Sequence, residues 1–303
     1  MAIQGLPRRG EHQPSNSFLR QLKRRLDVLT RYPISSIVIL GLVGVMAVFA
    51  PLIAPHDHLI GELRDRHIPP VLFGGDWNHV LGTDSLGRDI LSRLIYGSRI
   101  SLIVGVVTVI IGGGFGTLMG LISGYAGGWV DEIIMRIVDI KFSLPLILIA
   151  LALSVLLGPS FALLLGLLSF LIWGTFARQV RGQVLTLKEL EYVAAAKTFG
   201  ASPTRILLKH ILPGVFYVVL VISSLTVGGV ILAEASLSFL GAGIPPPAPA
   251  WGSMVAEGRL YISTAWWVSL IPGMMIGLLV VSTVFLGDWL RDALDPRLRQ
   301  RAN

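Results

Sequence analysis

Six apolar stretches, each about as long as a membrane-spanning helix, limit what this chain can fold into. A helix needs about 20 mostly apolar residues to cross about 30 Å of hydrocarbon. The composition agrees, since 53% of the residues are hydrophobic and only 14% are charged, whereas soluble domains carry about 25% charged residues. We therefore expect an all-α membrane protein with six transmembrane helices, at residues 33–54, 99–122, 133–157, 161–179, 214–238 and 266–287.

The first apolar stretch, residues 33–54, follows a basic segment and could be taken for a signal peptide. It is long enough to span the membrane, and Pro51 directly follows Phe49 and Ala50, where a cleavage site would need a small-residue pattern. We interpret it as an uncleaved first span. The preceding residues, 1–32, are expected to form a cytoplasmic segment with an amphipathic surface helix at 18–29.

The positions of the basic side chains predict how the chain is oriented. With the amino terminus inside, 19 of the 25 Lys and Arg residues fall on the cytoplasmic side and six on the outer side, which is the bias that cytoplasmic loops show. Both termini are therefore predicted to be cytoplasmic, and residues 55–98 to form an external segment. The same bias explains the net charge of +7 without a nucleic-acid partner.

The chain lacks the motifs of an ATPase, a metalloprotease or a serine hydrolase. It has no cysteine, none of its five lysines follows a glycine as a P-loop requires, and neither His-Glu-x-x-His nor Gly-x-Ser-x-Gly occurs. We expect a protein that is not an enzyme and holds no cofactor or metal. An intramembrane enzyme or a channel acting alone is the alternative class. Nickel binding by His56, His58, His67 and His79 is conceivable, but their irregular spacing favours solvated loop histidines.

The longest polar interruption in the second half of the chain separates the fourth and fifth apolar stretches. Residues 188–199 contain strong helix formers, including three consecutive alanines, and Gly200 stands where a helix ends. Ser202 and Pro203 form the cap and first turn of a second short helix. Pro213 closes the segment before the next apolar stretch. The pattern predicts a helical corner with a smooth alanine face that can sit in a groove of another protein.

This segment resembles the cytoplasmic coupling loop of ABC-importer permeases. In that family the loop docks into a cleft on the ATPase subunit and carries its motion into the membrane. The alternative, from the residues alone, is a solvated helical hairpin between two spans. The resemblance places the coupling loop at 188–213, with its motif at Glu191, Ala194, Ala195, Gly200, Ile211, Leu212 and Pro213.

A second resemblance lies in the external segment, at residues 81–102. Asp84 or Ser85 is placed to cap a helix starting near Gly87, with Asp89 in its first turn; a surface helix at the membrane interface would explain this pattern. The run is also similar to the signature of the C-type permease subunit of dipeptide, oligopeptide and nickel importers. The matching positions of this external signature are Gly82, Thr83, Asp84, Gly87, Arg88 and Asp89.

Glycine and proline mark two features of the second and third spans. A glycine recurs every four residues along the second span, which predicts one face that another helix can approach closely. Pro145 is predicted to kink the third span. The four glycines are Gly112, Gly116, Gly120 and Gly124.

Charged residues within the spans are candidates for a functional role. Glu234 lies in an apolar run near the outer end of the fifth span, and a carboxylate there should face a cavity or a partner. Asp139 is three residues from Arg136, close enough to pair on a helix. Arg136, Asp139 and Lys141 also lie near the inner end of the third span, where charges can snorkel to the interface. We consider Glu234 and Asp139 for the translocation path or a subunit interface.

Two further blocks support the resemblance to this permease branch. Residues 237–252 are similar to its pattern Leu-x-Phe-Leu-Gly-x-Gly … Pro-Pro-x-Pro-x-Trp-Gly, except for Ala242 and Ala248, where leucine and threonine are usual. Residues 287–297 resemble its cytoplasmic tail, in which Arg291 can pair with Asp295.

The resemblance covers residues 15–300 and implies a type I ABC-importer permease fold, with the permease domain at 97–288 and a cytoplasmic tail at 289–303. It implies a multi-pass protein of the bacterial cytoplasmic (inner) membrane. Its implied partners are a homologous permease forming a heterodimer, two ATP-binding subunits that hold ATP and Mg²⁺, and an external solute-binding protein. The implied activity is import of di- or oligopeptides by alternating access, with nickel or another small solute as the alternative.

Overall fold

The computed structural model describes residues 33–294, which form a bundle of helices. This part of the chain contains no β-strand, only an isolated bridge between Thr83 and Asp89. The predicted surface helix at 18–29 lies outside the described residues, as does Asp295, the proposed partner of Arg291. The helices are α1 Ile34–Val48, α2 Ala50–Ile53, α3 Ile90–Thr108, α4 Gly114–Ala126, α5 Gly128–Ser143, α6 Leu146–Leu157, α7 Phe161–Leu187, α8 Glu191–Thr198, α9 Pro203–Ile206, α10 Leu212–Phe239, α11 Trp251–Gly258 and α12 Trp267–Leu294.

Four continuous helical runs within residues 33–294 are long and apolar enough to cross a membrane, and α5 with α6 provides a fifth if the pair is one span. The predicted first span, 33–54, is divided at Phe49 between α1 and α2. At 1.5 Å per residue, the 15 residues of α1 reach about 22 Å, less than the thickness of the hydrocarbon. The count of six spans and the cytoplasmic termini therefore stay predictions. The four runs are Ile90–Ala126, Phe161–Leu187, Pro203–Phe239 and Trp267–Leu294.

Pro145 breaks the predicted third span sharply. The axes of the helices before and after it differ by 82°. Leu144 is extended, with φ −87° and ψ 134°, because the proline ring disfavours helical backbone in the residue that precedes it. The predicted kink is thus confirmed, as a complete break in the helix.

The glycine face of α4 packs directly on α7, as the four-residue spacing predicts. A Cβ built on Gly112, in the turn directly before α4, would lie 2.5 Å from the Ser169 carbonyl oxygen, and one on Gly120 would lie 2.6 Å from the Ala177 carbonyl oxygen. Both distances are shorter than side chains tolerate, so only glycine allows this approach. Gly116 and Gly124 continue the contact towards the end of α7.

The end of the bundle next to the segment 55–98 is organised around one buried tryptophan. The side chain of Trp251, at the start of α11, is completely buried, and its Nε1 donates a hydrogen bond to the Leu94 carbonyl oxygen at 3.0 Å. It packs in a cluster with Ile90 of α3, Ile231 of α10 and Leu279 of α12. This cluster joins the external segment to three of the long helices.

We predict that Gly120→Ala lowers the thermal stability of the detergent-solubilised protein. The added methyl group would overlap the α7 backbone, and overpacking of this kind costs about 1–3 kcal/mol. Gly114→Ala is the matched control, since no atom lies within 4 Å of a Cβ built there and alanine is the better helix former. Equal melting temperatures for Gly120→Ala and the unsubstituted protein would contradict the packing described.

Candidate functional site

The polar segment between α7 and α10 forms a short helix with a defined end. Helix α8 spans Glu191–Thr198 and is shorter than the predicted 188–199. The difference arises because α7 continues to Leu187, and Lys188 caps it while donating a hydrogen bond from Nζ to the Gly124 carbonyl oxygen at 3.1 Å. Lys188 therefore ties the base of α7 to α4.

Gly200 ends α8 in the way the sequence predicts. Its φ of +77° is left-handed, and the Ala201 N–H donates to the Ala196 carbonyl oxygen at 3.0 Å while the Gly200 N–H donates to the Lys197 carbonyl oxygen at 3.0 Å. These two bonds form the Schellman motif that commonly closes helices. No atom lies within 4 Å of a Cβ built on Gly200, so glycine is needed there for its backbone conformation.

The second predicted helix begins where expected but is not short. Ser202 does cap a new helix, accepting a hydrogen bond from the Arg205 N–H at 3.4 Å, and Pro203 occupies its first turn. The helix then continues through a wider turn at Leu207–Ile211 into α10. Pro213 is the second residue of α10 and directly follows this wider turn. The segment is therefore the start of the run Pro203–Phe239.

The segment presents one face to its surroundings and anchors the other in the chain. Glu191, Ala194 and Ala195 are exposed, and the Phe199 side chain at the end of α8 is 90% exposed. Sequence analysis missed Phe199, although an aromatic residue beside a helix-ending glycine was a visible signal. The anchors are Val193, Ile206 and Ile211, which are buried with Val180 and Val184 of α7.

The external signature is held by a cluster of four charged groups. Asp84 accepts hydrogen bonds from the Leu86 N–H at 2.8 Å, from Arg88 Nε at 2.7 Å and from Arg93 Nη1. Both arginines also bind Glu257 of α11, Arg88 at 3.0 Å and Arg93 at 2.7 Å. The Asp84 and Arg93 side chains are almost completely buried, and such charges persist only when they are paired and hydrogen-bonded. Sequence analysis missed Glu257, which is 164 residues away from Arg93.

Asp89 caps α3, which corrects the predicted cap at Asp84 or Ser85 and the start near Gly87. It accepts from the Ser92 N–H at 2.8 Å and from the Ser92 hydroxyl at 2.7 Å. Gly87 has a φ of +75°, and a Cβ there would collide with the backbone of Glu62. Because Ile90 and Ile95 are buried, α3 begins inside the fold, which contradicts the alternative of an interfacial surface helix.

Thr83 and Gly82 fix the rest of the signature to α12 and to the external segment. The Thr83 carbonyl oxygen accepts from Trp267 Nε1 at 3.3 Å, and its hydroxyl accepts from the Ile68 N–H at 2.9 Å. A Cβ on Gly82, whose φ is +80°, would lie 2.5 Å from the Ile68 carbonyl oxygen. Each residue of the external signature therefore contacts another part of the described structure.

The external histidines are more ordered than the predicted solvated loop. His58 stacks on Tyr96 with the ring centroids 3.7 Å apart, and His67 packs on Tyr261 at 4.5 Å. Burial lowers the pKa of both imidazoles below the usual range, so both are neutral at pH 7. One grouping was not anticipated, since ligand atoms of His56, His79 and Asp89 lie within 4.8 Å of one another. Asp89 already caps α3 and bonds His79 Nδ1 at 3.1 Å, which explains the grouping without a metal.

The structure does not bring Glu234 and Asp139 together. Glu234 is completely buried within α10, where one carboxylate oxygen accepts from the Ser238 hydroxyl at 2.7 Å and the other has no hydrogen-bond partner among residues 33–294. Asp139 is exposed and pairs with Arg178 of α7 at 2.7 Å. Arg136, its predicted partner, instead lies 4.0 Å from Glu132. Side chains four residues apart on a helix are neighbours, as are side chains three residues apart.

The chain matches the model of a transport family and is similar to several transport permease proteins. The family model "binding-protein-dependent transport system inner membrane component" matches residues 116–300. The chain is 40% identical over 289 residues to the dipeptide transport system permease protein DppC of Bacillus subtilis, covering 95% of this chain and 88% of that one. It is 46% identical over 221 residues to the glutathione transport system permease protein GsiD of Pectobacterium atrosepticum, covering 73% of each chain.

Solved structures agree on the fold. The methionine ABC transporter MetNI, in an inward-facing conformation, matches with a TM-score of 0.53 at 20% identity, over 68% of this chain and 96% of that chain. At this identity the likeness supports the arrangement of the helices alone.

We predict that Arg93→Met strongly destabilises the protein. The change leaves Asp84 and Glu257 with one arginine between them, and breaking a buried charge cluster costs about 3–5 kcal/mol. The measurement is the melting temperature in detergent. Arg64→Met is the control, because it makes the same charge change at an exposed position of the external segment. Equal melting temperatures for the two variants would contradict a stabilising role of the cluster.

Proposed function

The chain belongs to the family of binding-protein-dependent transport system inner membrane components, and from this premise we propose that it is the permease subunit of an ATP-driven importer of peptides. The names of its relatives support the substrate class, since they are permease proteins of dipeptide, glutathione and oligopeptide transport systems. Transport proceeds by alternating access. The chain performs no chemistry on its cargo.

The observation that carries this proposal is the form of the segment 188–213. It presents the exposed residues Glu191, Ala194 and Ala195 next to a nearly fully exposed Phe199. An alanine face flanked by an aromatic side chain is suited to a groove on another protein, since aromatic anchors in pockets dominate many interfaces. We assign this face to the ATPase subunit, and with it the coupling role of Gly200, Ile211 and Pro213.

Continuity of the backbone explains how a movement at this face would reach the membrane. The helix that starts at Pro203 runs without a break to Phe239, and Ile206 and Ile211 pack against α7. A displacement of α8 therefore acts on α7 and α10 together. Closure of the ATPases tilts these two helices and changes the side to which the cavity between the permease subunits opens.

The remaining assignments are part of the same proposal. The chain is a multi-pass protein of the bacterial cytoplasmic membrane, with residues 1–32 and 289–303 cytoplasmic and the permease domain at 97–288. It pairs with a homologous permease and with two ATP-binding subunits, which hold the ATP and Mg²⁺. An external solute-binding protein delivers the cargo to the outer face, where the external signature, Gly82 to Asp89, holds the segment 55–98 against α11 and α12.

Uptake of labelled di- and oligopeptides by cells with and without the gene tests the substrate class, with labelled nickel measured in parallel. We expect loss of peptide uptake without the gene and recovery with the unsubstituted gene. If only nickel uptake is lost, nickel replaces peptides as the proposed substrate. His56, His79 and Asp89 are then the residues to substitute next. Transport that persists without any ATPase subunit would favour a channel acting alone.

We predict that Gly200→Val reduces peptide uptake about tenfold while membrane insertion stays normal. A β-branched residue in the left-handed conformation costs about 1–2 kcal/mol, so the end of α8 unwinds and the docking face is lost. Gly200→Asn is the control, because asparagine tolerates this conformation, and we expect it to retain most of the uptake. Normal uptake with Gly200→Val would remove this segment from the coupling mechanism.

A further inference from the structure

Lys141 is a buried cation within the membrane-spanning part of the chain. It lies near the end of α5, just before the break at Pro145, and its side chain is 2% exposed. A charge at this position could snorkel to the interface. Instead, Nζ donates a hydrogen bond to the Leu171 carbonyl oxygen of α7 and lies 4.0 Å from the centroid of the Phe142 ring.

The charge of Lys141 is not compensated by any carboxylate within residues 33–294. No Asp or Glu oxygen of this range lies within 4.0 Å of its Nζ, whereas the neighbouring Asp139 is taken by Arg178 at 2.7 Å. Arg178 itself lies 4.7 Å from the same Phe142 ring. Because an ammonium group has three donors and Leu171 accepts one hydrogen bond, two donors have no hydrogen-bond partner among residues 33–294.

A cavity of about 300 Å³ is lined in part by Lys141. Its walls include the hydroxyl-bearing side chains of Thr175 on α7 and Thr226 on α10, and the backbone at Gly229. A Cβ built on Gly229 would meet no atom within 4 Å, so this wall is open space. The volume is at the lower end of the range for pockets that hold small ligands.

The cavity lies about halfway along two of the long helices. Thr175 is close to the midpoint of the 27-residue helix α7, and Thr226 to that of the 28-residue helix α10. Lys141 lies in the last turn of α5, directly before the break that separates α5 from α6. Transporters commonly bind their substrates near the bilayer midplane, beside interrupted helices.

We propose that Lys141 binds a carboxylate group of the transported solute in this cavity, with the hydroxyl groups of Thr175 and Thr226 as further donors. An uncompensated charge inside a membrane is costly and is typical of a substrate pathway. A single lysine provides a point charge rather than the two-pronged grip of arginine, which suits a site that must also release its ligand. This assignment rests on the proposed import function and adds the chemical group that the chain recognises.

The test compares a dipeptide that has a free carboxylate with its carboxyl-terminal amide. The complete importer, with its ATPases and binding protein, is reconstituted in vesicles, and uptake of both labelled forms is measured. The preference for carboxylate over amide is the readout. Any discrimination by the binding protein cancels when this preference is compared between permease variants, because the binding protein is the same in all of them.

Lys141→Gln removes the charge while its amide group retains a donor for the Leu171 carbonyl oxygen. We expect it to reduce the preference for the carboxylate about tenfold, the effect of one lost charge-assisted contact. Lys141→Arg keeps the charge and should retain part of the preference. Thr226→Val, on the opposite wall, leaves the packing of Lys141 unchanged and should reduce the preference by a smaller factor.

The outcomes separate this assignment from the proposed function. Uptake of neither form by the unsubstituted importer would overturn the peptide-import proposal itself. Normal uptake by the unsubstituted importer, with the same preference in Lys141→Gln, would overturn only the role of Lys141, as would an equal loss of both forms. If Lys141→Gln fails to insert, Thr226→Val decides, since an unchanged preference in that variant counts against a carboxylate site in this cavity.

Discussion

The close packing of α4 on α7 is the contact on which the rest of the described structure depends. Hydrophobic burial contributes little to helix association within lipid, so backbone contact over small residues has to hold the helices together. The glycines of α4 permit that contact by placing their Cα atoms against the carbonyl groups of Ser169 and Ala177. Helix α7 then provides one wall of the Lys141 cavity and, at its end, the anchor for the segment 188–213.

Two buried charged features of the chain have different roles in the structure. The cluster of Asp84, Arg88, Arg93 and Glu257 is balanced, with two carboxylates facing two guanidinium groups, and it fixes the external segment to α11. Lys141 is unbalanced within residues 33–294. A cluster of paired charges stabilises one arrangement of the chain. A charge that has no partner in the chain can instead bind a group of another molecule.

Local features were predictable from the sequence, and long-range ones were not. The end of α8 at Gly200, the cap at Ser202 and the break at Pro145 each follow from backbone preferences over a few residues. The pairing of Arg93 with Glu257 joins residues 164 positions apart, and no local pattern indicates it. The second helix of the corner is not short as predicted, because the helix continues through the wider turn Leu207–Ile211 into α10. The burial of Lys141 depends on the course of the chain after Pro145, which its place in the sequence does not reveal.

The most direct test of the account is whether the α8 face is covered by the ATPase subunits. Because the chain contains no cysteine, Ala195→Cys introduces a single thiol, which can be labelled in inside-out membrane vesicles with and without the ATPases. The account predicts rapid labelling in their absence and strong protection in their presence. Leu72→Cys, at a 92% exposed position of the external segment, is the control, and its labelling in right-side-out vesicles should not depend on the ATPases. Equal labelling of Ala195→Cys in both preparations would contradict the assignment of this face as the coupling surface.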